Sequence, residues 1–210
     1  MLKIISAAFC LGFFLVFSAD AQRVKPEPLS NAQKWEHIAD ALTKEDWSVA
    51  YKLTDEFLTQ VKVEDAGHYL ARVRFAYLFA AGGAILNRVI VRETVAARLK
   101  ELAGKEIELP PYEIVADCRT GGMNNICPKD GAENSVMVTA TNNGGFRIHA
   151  FIYVQLKEKF DLARHEETAA TIHGTIGSIE LSPPTASIWA FRVLIYDGTI
   201  ELDEPPAPST

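Results

Sequence analysis

The stretch Arg147-Ile148-His149-Ala150-Phe151-Ile152-Tyr153-Val154 decides the fold, because its residues change character at every step. Successive side chains of a strand point to opposite faces, so Ile148, Ala150, Ile152 and Val154 share one face and Arg147, His149, Phe151 and Tyr153 the other. The first face is core. The second is aromatic and cationic, which leaves it two uses: packing against the rest of the chain, or contact with a ligand or partner.

The same two-residue period runs outward in both directions. Ile107 and Leu109 open an extended run through Tyr112, Ile114 and Ala116, and Val136, Val138 and Ala140 alternate next. Asn142-Asn143-Gly144-Gly145 then marks a hairpin leading into Ile148. Beyond Val154, the polar segment Lys157 to Glu167 predicts a short helix around Phe160 and Leu162. Thr168 to Leu181 and Ile188 to Leu202 read as two further strands. The expectation for this half is five strands with a helical interlude between the third and fourth.

Before Gly104 the period is helical. Trp35, Ile38, Ala39 and Leu42 form one apolar face, and Trp47, Ala50, Leu53, Phe57 and Val61 a second, with Asp46 placed as its N-cap. Ala66, Tyr69, Leu70, Val73, Tyr77 and Ala80 make a third, which Gly82 and Gly83 are expected to end or bend. A fourth helix from about Arg92 to Leu102 stops at Gly104, with Lys100 and Lys105 favouring the negative end of its dipole.

At the N-terminus, Lys3, the 14-residue apolar run Ile4 to Phe17 and the ending Ser18-Ala19-Asp20-Ala21 form an export signal. The run is short of the roughly 20 residues that span a bilayer. Cys10 lies inside it and is expected to leave with it; Lys3 and Asp20 leave together, so the net charge of −6 is unchanged. The expected organisation is a signal peptide at 1–21, a flexible leader at 22–30, a helical domain at 31–103, a β domain at 104–202 and a disordered, proline-rich tail at 203–210. The expected location is periplasmic or secreted, with no stable membrane span after cleavage.

Cys118 and Cys127 are the two remaining cysteines, and an even count in an oxidising compartment predicts a disulfide between them. Closing so short a loop contributes about 2 to 3 kcal/mol. A metal site or a redox centre fits less well, because the pair lacks a second ligand pair nearby and no Cys-x-x-Cys occurs.

Ile148-His149-Ala150-Phe151, then Leu162-Ala163, then Ala170-Thr171-Ile172-His173-Gly174-Thr175-Ile176-Gly177 and the run Phe191 to Ile200 resemble the tRNA-anti-like OB-fold domains of exported bacterial proteins. The resemblance implies a five-stranded OB-like β-barrel, a binding fold whose ligand surface lies on strands two and three and on the loops joining strands one to two and four to five. Cys118 to Cys127 falls in the first of those loops and Ser182-Pro183-Pro184-Thr185 in the second. Asp46 to Leu58 followed by Asp65 to Ala80 is similar to a tetratricopeptide-like helix pair, without that family's proline between repeats; an ordinary helical bundle is the alternative. The expected fold class is therefore α+β: a short bundle of about four helices followed by the barrel.

Motifs of chemistry are sparse. His165-Glu166-Glu167 and His173 lack the four-residue histidine spacing of a zincin, no Gly-x-Ser-x-Gly elbow occurs, and Gly121-Gly122 and Gly144-Gly145 lack the lysine and helix of a phosphate loop. Twenty-seven acidic against 21 basic residues oppose binding to a nucleic-acid backbone. No cofactor or metal is expected. The expectation is an exported, non-enzymatic binding or adaptor protein for a protein segment or small envelope ligand, with Arg147, His149, Phe151 and Tyr153 as the partner face. An exported hydrolase built from scattered residues and a binder of extracellular nucleic acid are the alternatives, and the oligomeric state is open.

Overall fold

A computed structural model describes residues 28–118, 123–129 and 134–203. The expected signal, most of the leader and the tail from residue 204 lie outside the described residues. Helix α1 (Asn31–Thr43) starts at a capping box: the Ser30 hydroxyl accepts from the Gln33 backbone, and the Gln33 side chain accepts from the Ser30 N–H. Helix α2 (Trp47–Gln60) starts where the Asp46 carboxylate accepts the Val49 N–H at 3.2 Å. A single turn, α3 (Val63–Ala66), leads to α4 (Tyr69–Leu86), and α5 (Arg92–Leu102) follows. The described residues thus hold five helices where about four were expected, the extra one being the turn α3.

Helix α4 is mostly apolar, with Arg72 and Arg74 in its first half, and most of its residues are buried. By length and composition it could cross a membrane, but most of it is buried inside the fold. It packs on α1 and α2, and also on strands β1 (Glu106–Glu108), β5 (Ile148–Leu156) and β7 (Trp189–Leu202). Gly82 and Gly83 neither end nor break it. A Cβ on Gly82 would stand 2.9 Å from the Cβ and carbonyl oxygen of His149, and one on Gly83 only 2.4 Å from the Trp47 ring. They are glycines because strand and indole come that close, a packing demand that local sequence does not display.

Among the described residues the strands form one mixed sheet of seven, in the order β1-β6-β2-β3-β4-β5-β7, with β6 (Ala169–Leu181) also pairing with β7. The pairings therefore run in a circuit from β6 through β2 (Tyr112–Ile114), β3 (Asn125–Pro128), β4 (Ser135–Thr141), β5 and β7 back to β6. β2–β3 and β5–β7 are parallel and the others antiparallel. Seven strands replace the expected five for two reasons. Pro110 and Pro111 have no N–H to offer a ladder, so the run from Ile107 divides into β1 and β2, both paired with β6. In addition, β3 arises in the glycine- and asparagine-rich cysteine segment, where composition argues for a loop. The expected interlude helix is one 3-10 turn at Leu162–His165, started by Asp161.

One buried cluster runs from Phe75, Tyr77, Leu78 and Ile85 of α4 through Leu99 of α5 to Ile126, Ile152, Ile172, Phe191 and Ile195 of the sheet. A second joins Ile38, Phe57, Leu70 and Val73 of the helices. Helix α4 belongs to both, so the two halves of the chain share a core.

Candidate functional site

The cationic and aromatic face of β5 is divided by α4. Arg147 donates to the Leu86 carbonyl at 3.1 Å and to the Asn87 side chain, which satisfies acceptors at the C-terminal end of α4. His149 is fully buried beneath Gly82, with its ring 4.6 Å from Trp47 and 4.4 Å from Phe79. Neither imidazole nitrogen has a hydrogen-bond partner among the described residues. Burial pushes the His149 pKa from 6.5 down to about 4; the Phe79 backbone opposes that shift without reaching hydrogen-bond geometry, and Arg147 adds to it.

Phe151 and Tyr153 lie farther along the strand, half-buried. Register places Thr139 of β4 and Arg192 of β7 on either side of Phe151, and Met137 and Leu194 on either side of Tyr153. Trp189 stands 6.2 Å from Phe151 with its ring tilted, and the Arg192 guanidinium lies 5.3 Å from the centre of the indole. Lys129 sits 4.6 Å above the Tyr153 ring. Arg192 also donates to Glu180 at 2.8 Å in an exposed pair. Around Tyr153 the face sinks into a hollow of about 540 Å³.

Cys118 forms one wall of that hollow, and its sulfur is at bonding distance from Cys127, with the two Cα atoms 5.2 Å apart. The disulfide thus ties the segment entering β3 to the strand itself, beside Pro128 and Lys129. Arg147 and His149 serve the helix junction while Phe151 and Tyr153 line an open aromatic strip; the sequence placed all four on one face. Arg192 and Met137 were missed because they join the strip through strand pairing with Phe151 and Tyr153, and Trp189 because it is paired with Ile148 and reaches the strip only through its ring contact with Phe151.

A wider cleft of about 850 Å³ opens between α1, α4 and the β1–β2 connection. Trp35, Phe79 and Tyr112 line it, together with the ion pair of Arg72 and Glu108. Burial raises the Tyr112 pKa, which keeps its hydroxyl protonated. The three histidines of the hydrolase alternative have separate neighbours: His149 the α4 junction, His165 the Phe160 ring at 5.1 Å, and His173 the carboxylates of Glu201 at 3.3 Å and Glu108 at 3.9 Å. Among the described residues no three His, Cys, Asp or Glu side chains group so as to hold a metal ion.

No known protein-family model matches the chain, and no curated protein matches it either. The α+β class, with five helices among the described residues and a seven-stranded mixed sheet, is what the fold defines.

Proposed function

We propose that the protein is an exported, non-enzymatic binding or adaptor module whose sheet is an OB-like barrel, of the kind found in tRNA-anti-like domains. The barrel reading is supported by the circuit of strand pairings, by the parallel neighbours β5 and β7, and by the 3-10 turn preceding β6. On this reading α2 and α4 are the tetratricopeptide-like pair, with α4 burying its remaining side on the sheet. Export is supported by the apolar N-terminal run and by a cysteine pair at bonding distance.

One observation carries the binding role: the open strip of Phe151, Tyr153 and Trp189, with Lys129 and Arg192 over its rings. Aromatic and arginine side chains dominate recognition surfaces, since they bury large areas at low conformational cost. The occupant is a protein segment or a small envelope ligand.

The test is cross-linking of the tagged chain in its native envelope, followed by mass spectrometry, for the wild type and for Tyr153→Ala combined with Arg192→Ala. Arg192 is exposed and Tyr153 is half-buried outside the core, so the variant keeps its fold and loses the captured partner. Capture unchanged by the double substitution removes this face from the function.

A further inference from the structure

The end of the molecule opposite the disulfide loop along β5 carries a second concentration of chemistry. Arg88, Arg92 and Arg147 line a hollow of about 490 Å³ between the α4–α5 turn and the β6–β7 loop, and no acidic residue lines it. In a chain of net charge −6 this is a local reversal of sign. None of the three arginines has a salt bridge among the described residues.

Two of these arginines also have structural duties. Arg147 holds the end of α4, and Arg92 donates to the Ala186 carbonyl at 2.7 Å and to the Ser182 hydroxyl at 3.3 Å. Each guanidinium carries five donors, so both retain N–H groups for an anion while being held in place. Arg88 is exposed, at a positive φ of 60° in the turn.

Exposed apolar side chains neighbour the hollow in the chain. Val89, Val91, Phe146 and Ile188 are 46%, 65%, 85% and 61% exposed, and each adjoins in the chain a residue lining the hollow. A soluble anion accounts for the arginines but leaves these four side chains unexplained. A lipid surface accounts for both, because its phosphates lie just above the apolar layer that such side chains enter.

We propose that this end docks on an anionic membrane, with lipid phosphates meeting Arg88, Arg92 and Arg147 and with Phe146 and Ile188 entering the interface. The test is sedimentation of the full chain with vesicles of phosphatidylcholine alone and of equimolar phosphatidylcholine and phosphatidylglycerol. The wild type partitions preferentially onto the anionic vesicles. Arg88→Glu reduces that partition about 25-fold, from two units of charge at about fivefold each. Phe146→Ser reduces it about tenfold through lost apolar burial. Neither substituted side chain is buried, so the fold persists, and the N-terminal apolar run is common to every chain compared. Equal partition onto neutral and anionic vesicles, or an anionic preference that survives Arg88→Glu, overturns the proposal. Saturable binding of inorganic phosphate by calorimetry without binding to any vesicle overturns it in favour of a soluble anion.

Discussion

Acidification should loosen the junction between α4 and the sheet, and His149 sets how much. In the unfolded chain its imidazole takes up a proton near pH 6.5, whereas in the fold burial holds that event down to about 4. The neutral ring is therefore the form the fold accepts. Its contribution to stability is complete above pH 6.5, declines as the pH falls, and is exhausted below about 4. The displacement corresponds to about 3 kcal/mol, a large share of the stability of a small protein. The comparison chain is His149→Leu, which keeps an apolar side chain between Trp47 and Phe79 and removes two buried nitrogens without partners. Urea unfolding of both chains, followed by tryptophan fluorescence from pH 7.5 to 3.5, cancels every titrating group they share. Trp47, 4.6 Å from the ring, is a local reporter of the same event. The wild type should lose about 3 kcal/mol relative to His149→Leu between pH 6.5 and 4. Parallel profiles, differing by less than about 1 kcal/mol across that window, would refute the buried neutral histidine.

Two further perturbations probe the same architecture. Gly83→Ala places a Cβ 2.4 Å from the Trp47 ring, so it should cost about 1 to 3 kcal/mol in urea unfolding despite alanine's better helix propensity; a stabilised variant would mean that the indole gives way freely. Alkylation of the denatured, unreduced chain should leave Cys118 and Cys127 unlabelled, with Cys10 as the sole reactive thiol where the first 21 residues are present, and mass mapping of label on either of the pair would end the disulfide assignment.

The sequence displayed those parts of the fold that depend on local period. The alternation through Ile152 and Tyr153 gave β5 its two faces, and Asp46 was legible as the start of α2 because capping is a short-range contact. Long-range packing was less visible. Gly82-Gly83 looks like a helix end in isolation; only the approach of His149 and Trp47 explains it. β3 was hidden because its stability comes from pairing with β2 and β4 rather than from its own composition. The open strip was half legible: Phe151 and Tyr153 from alternation, Arg192 only through the β5–β7 register and Trp189 only through its ring contact with Phe151.

Helix α4 explains why one strand face has two fates. Its glycines allow it to lie directly on β5 at His149, and its C-terminal end meets Arg147, whereas Phe151 and Tyr153, on the other side of His149 from that end, stay half-exposed. The same placement sets the turn bearing Arg88 beside the β6–β7 loop, where Arg92 fastens the two together through Ala186. A side chain at Gly82 would have to lift α4 off the strand, disturbing the His149 socket and the spacing of the three arginines at once. Gly82→Val should therefore lower both stability and anionic-vesicle partition, whereas Tyr153→Ala, at the other end of the strand, should leave the partition nearly unchanged.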